Sequence, residues 1–199
     1  MAGQPGLWRA TVPGQTDRSI VRYRILTDRG AGVQRVSPRA DDPQAWHAWF
    51  VSPVRSSTRP SYEIFISAAS LSTLSSNISQ SPRRIVNPDP PGLVRASWSA
   101  TQPAVVVRDG VVFDVRMRYH GSRYRRDASR NSFKLQFPRY ARLDELEGLY
   151  LKDKGEEHRV SSQIYRAAGL PGFTARYADV YLNSGVVFQR LEVPEMDDR

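Results

Sequence analysis

The chain has 199 residues and a formal net charge of +9, and 40% of its residues are hydrophobic. This length suits one domain, or a small domain plus a fragment, and the hydrophobic content excludes disorder over the whole chain. Disulfides and thiolate metal sites are excluded because cysteine is absent. No apolar run is long enough to span a membrane, and residues 1–19 lack the apolar core of a signal peptide, so we expect neither feature.

The first quarter of the chain predicts short strands. Residues 20–26 and 46–51 are rich in β-branched and aromatic side chains, which favour strands. Because two strands do not form a stable unit alone, we predict that residues 1–53 are a partial β-sandwich-like segment.

Residues 54–103 are predicted to be a linker with connecting elements, because Pro and Ser recur along them. A short apolar run at 62–66 predicts one strand inside this region. Residues 70–76 predict a brief helix.

The second half of the chain predicts a sheet with one main helix. Asp109-Gly110 is a strong signal for a tight hairpin turn between strands at 105–107 and 111–119. The later elements are a strand at 133–137, a helix at 157–168, and strands at 177–182 and 186–191. This order is that of the small lobe of a protein kinase. We therefore predict an α+β fold for residues 104–199: a kinase-small-lobe-like antiparallel sheet with one main helix, preceded by the β-sandwich-like segment.

The predicted helix has an apolar stripe and a clear end. Gly169 followed by Pro171 is typical of the end of a helix. The stripe consists of residues that recur at helical spacing: Val160, Ile164, Ala167 and Ala168.

A cluster of basic residues surrounds a glycine in the middle of this region. Gly121 and Ser122 follow the strand at 111–119, which contains Arg118, and Lys134 lies on the polar face of the next strand. Glycine lets the backbone approach a phosphate closely, while Arg and Lys bind phosphate by a planar fork and a point charge. If the two strands are neighbours, Lys134 shares a face with Arg118 that suits a polyphosphate. The arginines of the cluster are Arg116, Arg118, Arg123, Arg125, Arg126 and Arg130.

Two alternatives use the same residues. An exposed basic hairpin needs no ligand, and the interleaved Tyr119 and Tyr124 are compatible with nucleic acid binding. The arginines alternate along a strand or crowd one loop and do not line a recognition helix, which disfavours nucleic acid.

Other kinds of site have weaker support. His47, His120 and His158 are far apart in sequence, so we predict no metal site. Trp46 and Trp49 are typical of a core or an interface, and sugar binding is the alternative for them.

Five short motifs occur in a definite order along residues 118–192. They are R-Y-H-G-S at 118–122, K-L-Q-F at 134–137, G-L-P at 169–171, Y-L-N at 181–183 and L-E at 191–192. Their order and spacing resemble the CotH kinase family over about residues 104–193. Segments within 20–67 are also similar to those that precede this domain in large exported bacterial members.

The resemblance implies an atypical kinase that binds ATP and Mg²⁺ and phosphorylates Ser on secreted or spore-coat proteins. It implies that Gly121, Ser122 and Lys134 lie near the nucleotide phosphates, with Arg118 on the same basic face, and that Glu192 lies near the cleft. It also implies an extracellular or cell-envelope location.

The chain departs from the family pattern where activity is concerned. Arg123 stands where the family has a second Ser, and the turn at 183–185 compresses a longer aromatic and glycine-rich segment. In the family the catalytic and metal-binding aspartates lie beyond the hinge, near which this chain ends, so no catalytic residue or metal ligand is identified. We therefore expect a kinase fragment that is inactive alone. The alternative is a non-catalytic module that binds at the cell surface or to nucleic acid.

Overall fold

The computed structural model describes residues 9–28, 30, 34–55, 57–79, 96–121, 126 and 128–195. The strands and α-helices, in chain order, are β1 (Ile20–Tyr23), β2 (Ile25–Asp28), β3 (Gln34–Ser37), β4 (His47–Phe50), β5 (Ser61–Phe65), α1 (Ala68–Ser79), β6 (Gln102–Arg108), β7 (Val111–Tyr119), β8 (Phe133–Gln136), β9 (Gly148–Lys152), α2 (Glu156–Ala167), β10 (Arg176–Leu182) and β11 (Val186–Pro194). Neither of these helices is long and apolar enough to cross a membrane.

Seven strands close into a barrel. Their order around it is β10-β11-β9-β8-β7-β6-β5, and β5 pairs again with β10. Neighbouring strands are antiparallel except at this last pairing, where residues 179–182 of β10 run parallel to residues 61–64 of β5. Closure thereby gives each of the seven strands a partner on both edges.

The barrel interior is the hydrophobic core. Along β7 every second residue from Phe113 to Tyr119 is buried, and the residues between them are polar. This is the alternation that a strand with one face on a core requires. β8 and β9 continue the pattern with fully buried inward side chains: Phe133, Leu135, Leu149 and Leu151.

The predicted fold class is wrong. The described chain is mostly β, with a closed seven-stranded barrel, two two-stranded sheets and two α-helices. It is not an α+β kinase-small-lobe-like sheet with one main helix. The predicted β-sandwich-like segment is also absent as such, because β1 pairs only with β4, and β2 only with β3.

Two features explain this error. β9 has only five residues and went unrecognised, yet it inserts between β8 and β11. β5, which falls in the region predicted as a linker, pairs with a strand far along the chain. Such a non-local pairing has no short-range sequence signal.

Local turn predictions are confirmed. Asp109 and Gly110 join β6 to β7 with φ of 49° and 82°, as a two-residue hairpin turn of this type requires. At the end of α2, Gly169 has a φ of 70°, and its amide donates to the carbonyl of Arg166 at 3.1 Å. This is the expected glycine termination of a helix.

α2 lies outside the barrel with its apolar stripe toward solvent. Val160 and Ile164 are 53% and 59% exposed, whereas Ser162 is buried. The guanidinium of Arg159 lies over the Tyr177 ring of β10, 5.3 Å from its centroid. An apolar stripe usually faces a core, so the pattern predicted the helix and not its orientation.

A buried carboxylate attaches the N-terminal region to the barrel. Glu63 of β5 is 1% exposed and pairs with Arg55 and with Arg18, the latter at 3.3 Å. Both guanidinium groups also lie over the Tyr181 ring, at 4.4 Å and 4.7 Å from its centroid. Burial raises the pKa of Glu63 although both arginines oppose that shift. The ion pairs and the stacking together hold Arg18, which precedes β1, and Arg55, which follows β4, against the outer surface of the barrel.

Asn183 connects the β10–β11 turn to β5 where the barrel closes. The backbone amide of Asn183 donates to the carbonyl of Ile64 at 2.8 Å, and its side-chain Oδ1 accepts from the backbone amide of Ile66 at 2.9 Å. Asn183 has a φ of 49°, in the left-handed region that Asn tolerates better than most residues. One side chain thus satisfies a backbone amide just beyond the parallel pairing.

Asn183→Ala should lower the free energy of unfolding by roughly 2 kcal/mol, because it removes this acceptor and places alanine in a left-handed conformation. Asn183→Gly removes only the acceptor, so it should cost about half as much. Urea unfolding of both variants measures the difference. Negligible losses in both would contradict a role for Asn183 in closure.

Candidate functional site

Three strands present a row of polar side chains on the outside of the barrel. Arg118 of β7, Lys134 of β8 and Tyr150 of β9 are direct cross-strand partners. Because the residues on either side of them in each strand fill the core, these three side chains point outward. The shared face predicted for Arg118 and Lys134 is therefore confirmed, and Tyr150 is an unpredicted third member.

A second row lies beside the first, toward the end of the same strands. The His120 amide donates to the Ser132 carbonyl at 2.7 Å, which extends the β7–β8 pairing. Lys152 ends β9, two residues beyond Tyr150. The His120 and Tyr150 rings are in contact, with 4.3 Å between their centroids. We call the two rows the basic face: Arg118, His120, Lys134, Tyr150 and Lys152.

A pocket opens at the end of the basic face, where α2 approaches the residues that follow β7. Its volume is ≈ 270 Å³. Gly121, with a φ of 136° that glycine adopts readily, forms part of the wall. The other lining residues are His120, Arg130, Ser132, Lys152, Asp153, Lys154, Glu157 and His158.

Lysine is confined to this part of the protein. The chain has 29 Lys and Arg residues, of which three are lysines: Lys134, Lys152 and Lys154. Lys134 and Lys152 lie on the basic face, and Lys152 and Lys154 line the pocket. Positive charge elsewhere in the chain is supplied by arginine alone.

The cations of the site disfavour positive charge on one another. The pKa of His120 falls to about 3, first through burial and then through Lys152 and Arg118. The pKa of Arg126 falls to about 10 through burial and the nearby Arg118. Burial also lowers the pKa of Arg118 and of Lys152. Half-buried cations that lie close together favour the binding of an anion. Its negative charge would offset both their loss of hydration and their mutual repulsion.

One carboxylate lies on the basic face. Glu195 forms an ion pair with Lys134 and accepts from the Tyr150 hydroxyl at 2.8 Å. Its amide donates to the Gly148 carbonyl at 2.9 Å, which holds the side chain over Gly148. A Cβ at position 148 would lie 1.8 Å from Oε2 of Glu195. A larger residue at 148 would therefore force the Glu195 carboxylate to move from its observed position.

Two carboxylates, Asp153 and Glu157, line the pocket. Asp153 pairs with Arg190 at 3.4 Å, and the side chain of Glu157 is 68% exposed at the rim. Within the described ranges, no three or more His, Cys, Asp or Glu side chains are grouped to hold a metal ion. In nucleotide sites Mg²⁺ is commonly held by one or two carboxylates together with phosphate oxygens and waters. The Mg²⁺ that the resemblance implied therefore stays a prediction.

Glu192 lies on the other side of the sheet from Lys134. It is the cross-strand partner of the inward-facing Leu151, and it is 7% exposed. Arg176 donates to both of its carboxylate oxygens at 3.3 Å. The structure therefore brings Arg118, Lys134 and the Gly121 turn to one side and leaves Glu192 apart from them. Ser122 lies outside the described residues.

The two tryptophans considered for sugar binding have different neighbours. The guanidinium of Arg24 covers Trp46, 4.1 Å from its ring centroid, and Trp49 contacts Tyr23 at 5.3 Å. The sugar-binding alternative for these two residues stays a prediction.

Several residues of the site were not predicted from the sequence, and for Tyr150 and Lys152 the reason is that β9 was not predicted. Leu149 and Leu151 alternate with Tyr150 and Lys152, a period of two that would have indicated the strand and its outward residues. No such signal existed for Glu195, which meets its partner across 61 positions of sequence. The missed residues are Tyr150, Lys152, Lys154, Asp153, Glu157, His158 and Glu195.

No protein-family model matches the chain, and no curated protein matches it at a significant level. The resemblance to the CotH family therefore stays a prediction.

Gly148→Ala should displace the Glu195 carboxylate from Lys134 without changing any charge, and it should lower the free energy of unfolding by roughly 1–2 kcal/mol. In a Glu195→Ala background the same substitution should cost much less, because the overlap is gone. A double-mutant cycle by urea unfolding tests this coupling. Additive losses would show that Gly148 and Glu195 are not coupled.

His120 should make stability depend on pH. Its pKa in the folded chain is about 3, whereas an unfolded histidine titrates at about 6.5. The unfolded chain thus binds a proton that the folded chain does not, so the free energy of unfolding should fall as pH drops below about 6.5. His120→Phe keeps a ring against Tyr150 and should weaken this fall. Unfolding of both chains at about pH 7 and about pH 5 measures it, and an identical fall in the two would refute the assignment.

Proposed function

We propose that this chain is a nucleotide-binding module that holds ATP by its phosphates and does not transfer phosphate on its own. The observation that supports this proposal is the convergence of half-buried cations on one open pocket. Lys152, Arg118 and Arg126 all lower the pKa of His120, which indicates a positive potential at the mouth of the pocket. Burying cations in this way costs free energy unless an anion accompanies them.

The pocket contains the groups that bind phosphate elsewhere. Lys152 and Lys154 offer ammonium donors, Arg130 offers a planar guanidinium, and Gly121 allows close approach of the backbone. Arg118 extends the same charge along the sheet, while its neighbour Lys134 is paired with Glu195. The phosphate chain would thus run from the pocket onto the basic face.

The size of the pocket also fits a phosphate chain. Pockets that enclose a whole drug-sized ligand have volumes of about 300–1,000 Å³, and this one has ≈ 270 Å³. It suits the phosphates of a nucleotide, with the ribose and base outside.

Binding without transfer is the better-supported form of the function. Phosphoryl transfer needs groups that neutralise developing charge and orient the nucleophile. The pocket carboxylates are Asp153, paired with Arg190, and Glu157, at the exposed rim. A Ser acceptor on a secreted or coat protein, and a location outside the cytoplasm, rest on the family resemblance alone.

Calorimetric titration with ATP, inorganic triphosphate, ADP and adenosine tests the proposal. We expect triphosphate to bind about as well as ATP, ADP to bind less tightly, and adenosine not to bind. Lys152→Ala should weaken ATP binding by about tenfold or more, the cost of one charge-assisted hydrogen bond. Arg39→Ala is the matched control, because it removes one positive charge from a side chain that is 76% exposed and pairs with Asp41.

Three results would argue against the proposal. Equal losses in the two variants would indicate a non-specific charge effect, and adenosine binding would indicate a base-specific site elsewhere. Salt-sensitive binding of random DNA that triphosphate does not displace would favour the nucleic acid alternative. In the same samples, transfer of label from radioactive ATP to a Ser-rich acceptor would show that the chain is catalytic.

A further inference from the structure

Lys152 has an unusual hydrogen-bond partner for a lysine. Its Nζ lies 2.6 Å from Nε2 of His158, which follows it on α2. An imidazole nitrogen can accept a hydrogen bond only when it carries no proton. At this distance His158 is positioned to take a proton from the Lys152 ammonium. Glu157 lies near the same nitrogen, with Oε1 3.9 Å from Nε2 of His158, and would stabilise the imidazolium that forms.

The other two lysines have different surroundings. Lys134 forms an ion pair with the carboxylate of Glu195 and has no imidazole partner among the described contacts. Lys154 is exposed at the rim of the pocket. Of the three lysines, Lys152 alone combines partial burial, a place in the pocket wall and an imidazole nitrogen within hydrogen-bonding distance.

These conditions favour a free amine. Burial lowers the pKa of Lys152, and the carboxylate of Glu157 opposes that shift more weakly. Partial desolvation is one of the ways in which proteins make a lysine nucleophilic. Arginine could not serve, since its guanidinium does not lose its proton in proteins. The use of lysine here, in a chain otherwise supplied with arginine, agrees with a role in amine chemistry.

We propose that Lys152 is a nucleophilic amine that forms an imine with a phosphate-bearing aldehyde in the pocket. The inference rests on the proposed phosphate site for the choice of ligand, and on the Lys152–His158 contact for the reaction. Arg130 and Lys154 would bind the phosphate of the aldehyde, and the carbonyl carbon would face Nζ of Lys152.

The reaction needs no oxidant or reductant. A proton passes from the Lys152 ammonium to Nε2 of His158, and the freed amine attacks the carbonyl carbon. The attacking amine passes one of its own protons to the carbonyl oxygen, which becomes a hydroxyl, and a neutral carbinolamine results. Returning the proton from His158 to that hydroxyl releases water as the nitrogen lone pair forms the C=N bond, and a protonated imine remains on Nζ.

Labelling with pyridoxal 5′-phosphate, followed by borohydride reduction, tests this proposal. Reduction fixes an imine as a stable secondary amine, and peptide mapping by mass spectrometry resolves the three lysines. We expect Lys152 to be labelled several-fold faster than Lys134 or Lys154. Inorganic triphosphate should slow the labelling of Lys152. Lys152→Arg should abolish the adduct at position 152 and leave the adducts at the other two lysines.

His158→Phe is the decisive variant, because it keeps a ring in place and removes the proton acceptor. Labelling of Lys152 should slow several-fold in this variant, while labelling of Lys154 serves as an internal control. A thermal melt checks that the variant is folded. Should it not fold, the competition among the three lysines in the unaltered chain decides the matter.

Pyridoxal, which lacks the phosphate, separates the two parts of the inference. A larger loss of labelling at Lys152 than at Lys134, when pyridoxal replaces pyridoxal 5′-phosphate, supports both the amine and the phosphate site. Preferential labelling of Lys152 at equal rates by both reagents would overturn the phosphate-bearing ligand and count against the proposed function, while the amine would stand. Equal labelling of all three lysines would overturn the nucleophile, whatever the titration with ATP shows.

Discussion

The parallel pairing of β5 with β10 closes the sheet, and the chemistry of the outer surface depends on that closure. A closed sheet has one inside, which here is filled by side chains such as Met117, Leu135 and Leu151. Because strand residues alternate, the polar residues between them have no place except the outside. Arg118, Lys134 and Tyr150 form a row for this reason, and the same rule directs Glu192 inward to Arg176.

Closure also positions the outer cations where they are partly buried. α2 approaches the end of the basic face, so that half-buried His120 and Lys152 line an open pocket. The cost of burying charge there is visible in the lowered pKa values of His120, Arg126 and Lys152. Partly buried positive charge suits a site to bind an anion. The half-buried amine of Lys152, next to the His158 imidazole, suits it to proton transfer.

The predicted order of elements agreed with the structure for several strands and turns, but the kinase-like fold inferred from that order was wrong. The strand at 111–119 and the tight turn at Asp109-Gly110 were predicted with their observed bounds, because alternation and turn chemistry depend on neighbouring residues. The position of β9 between β8 and β11, and the return of β5 to β10, join residues that are distant in sequence. The same set of strands is compatible with an open sheet or a closed barrel, so the order of elements could not distinguish them.

The sequence by itself determined the local elements and part of the site. It placed Arg118 and Lys134 on one face, marked Gly121 as the turn beside them, and predicted the end of α2 at Gly169, since each depends on periodicity or backbone conformation within a few residues. Only the tertiary structure decided that Lys152 meets His158, that Glu195 occupies the space above Gly148, and that Glu192 faces the interior. Those contacts follow from how distant strands and a helix pack in space, and packing is a property of the closed barrel as a whole.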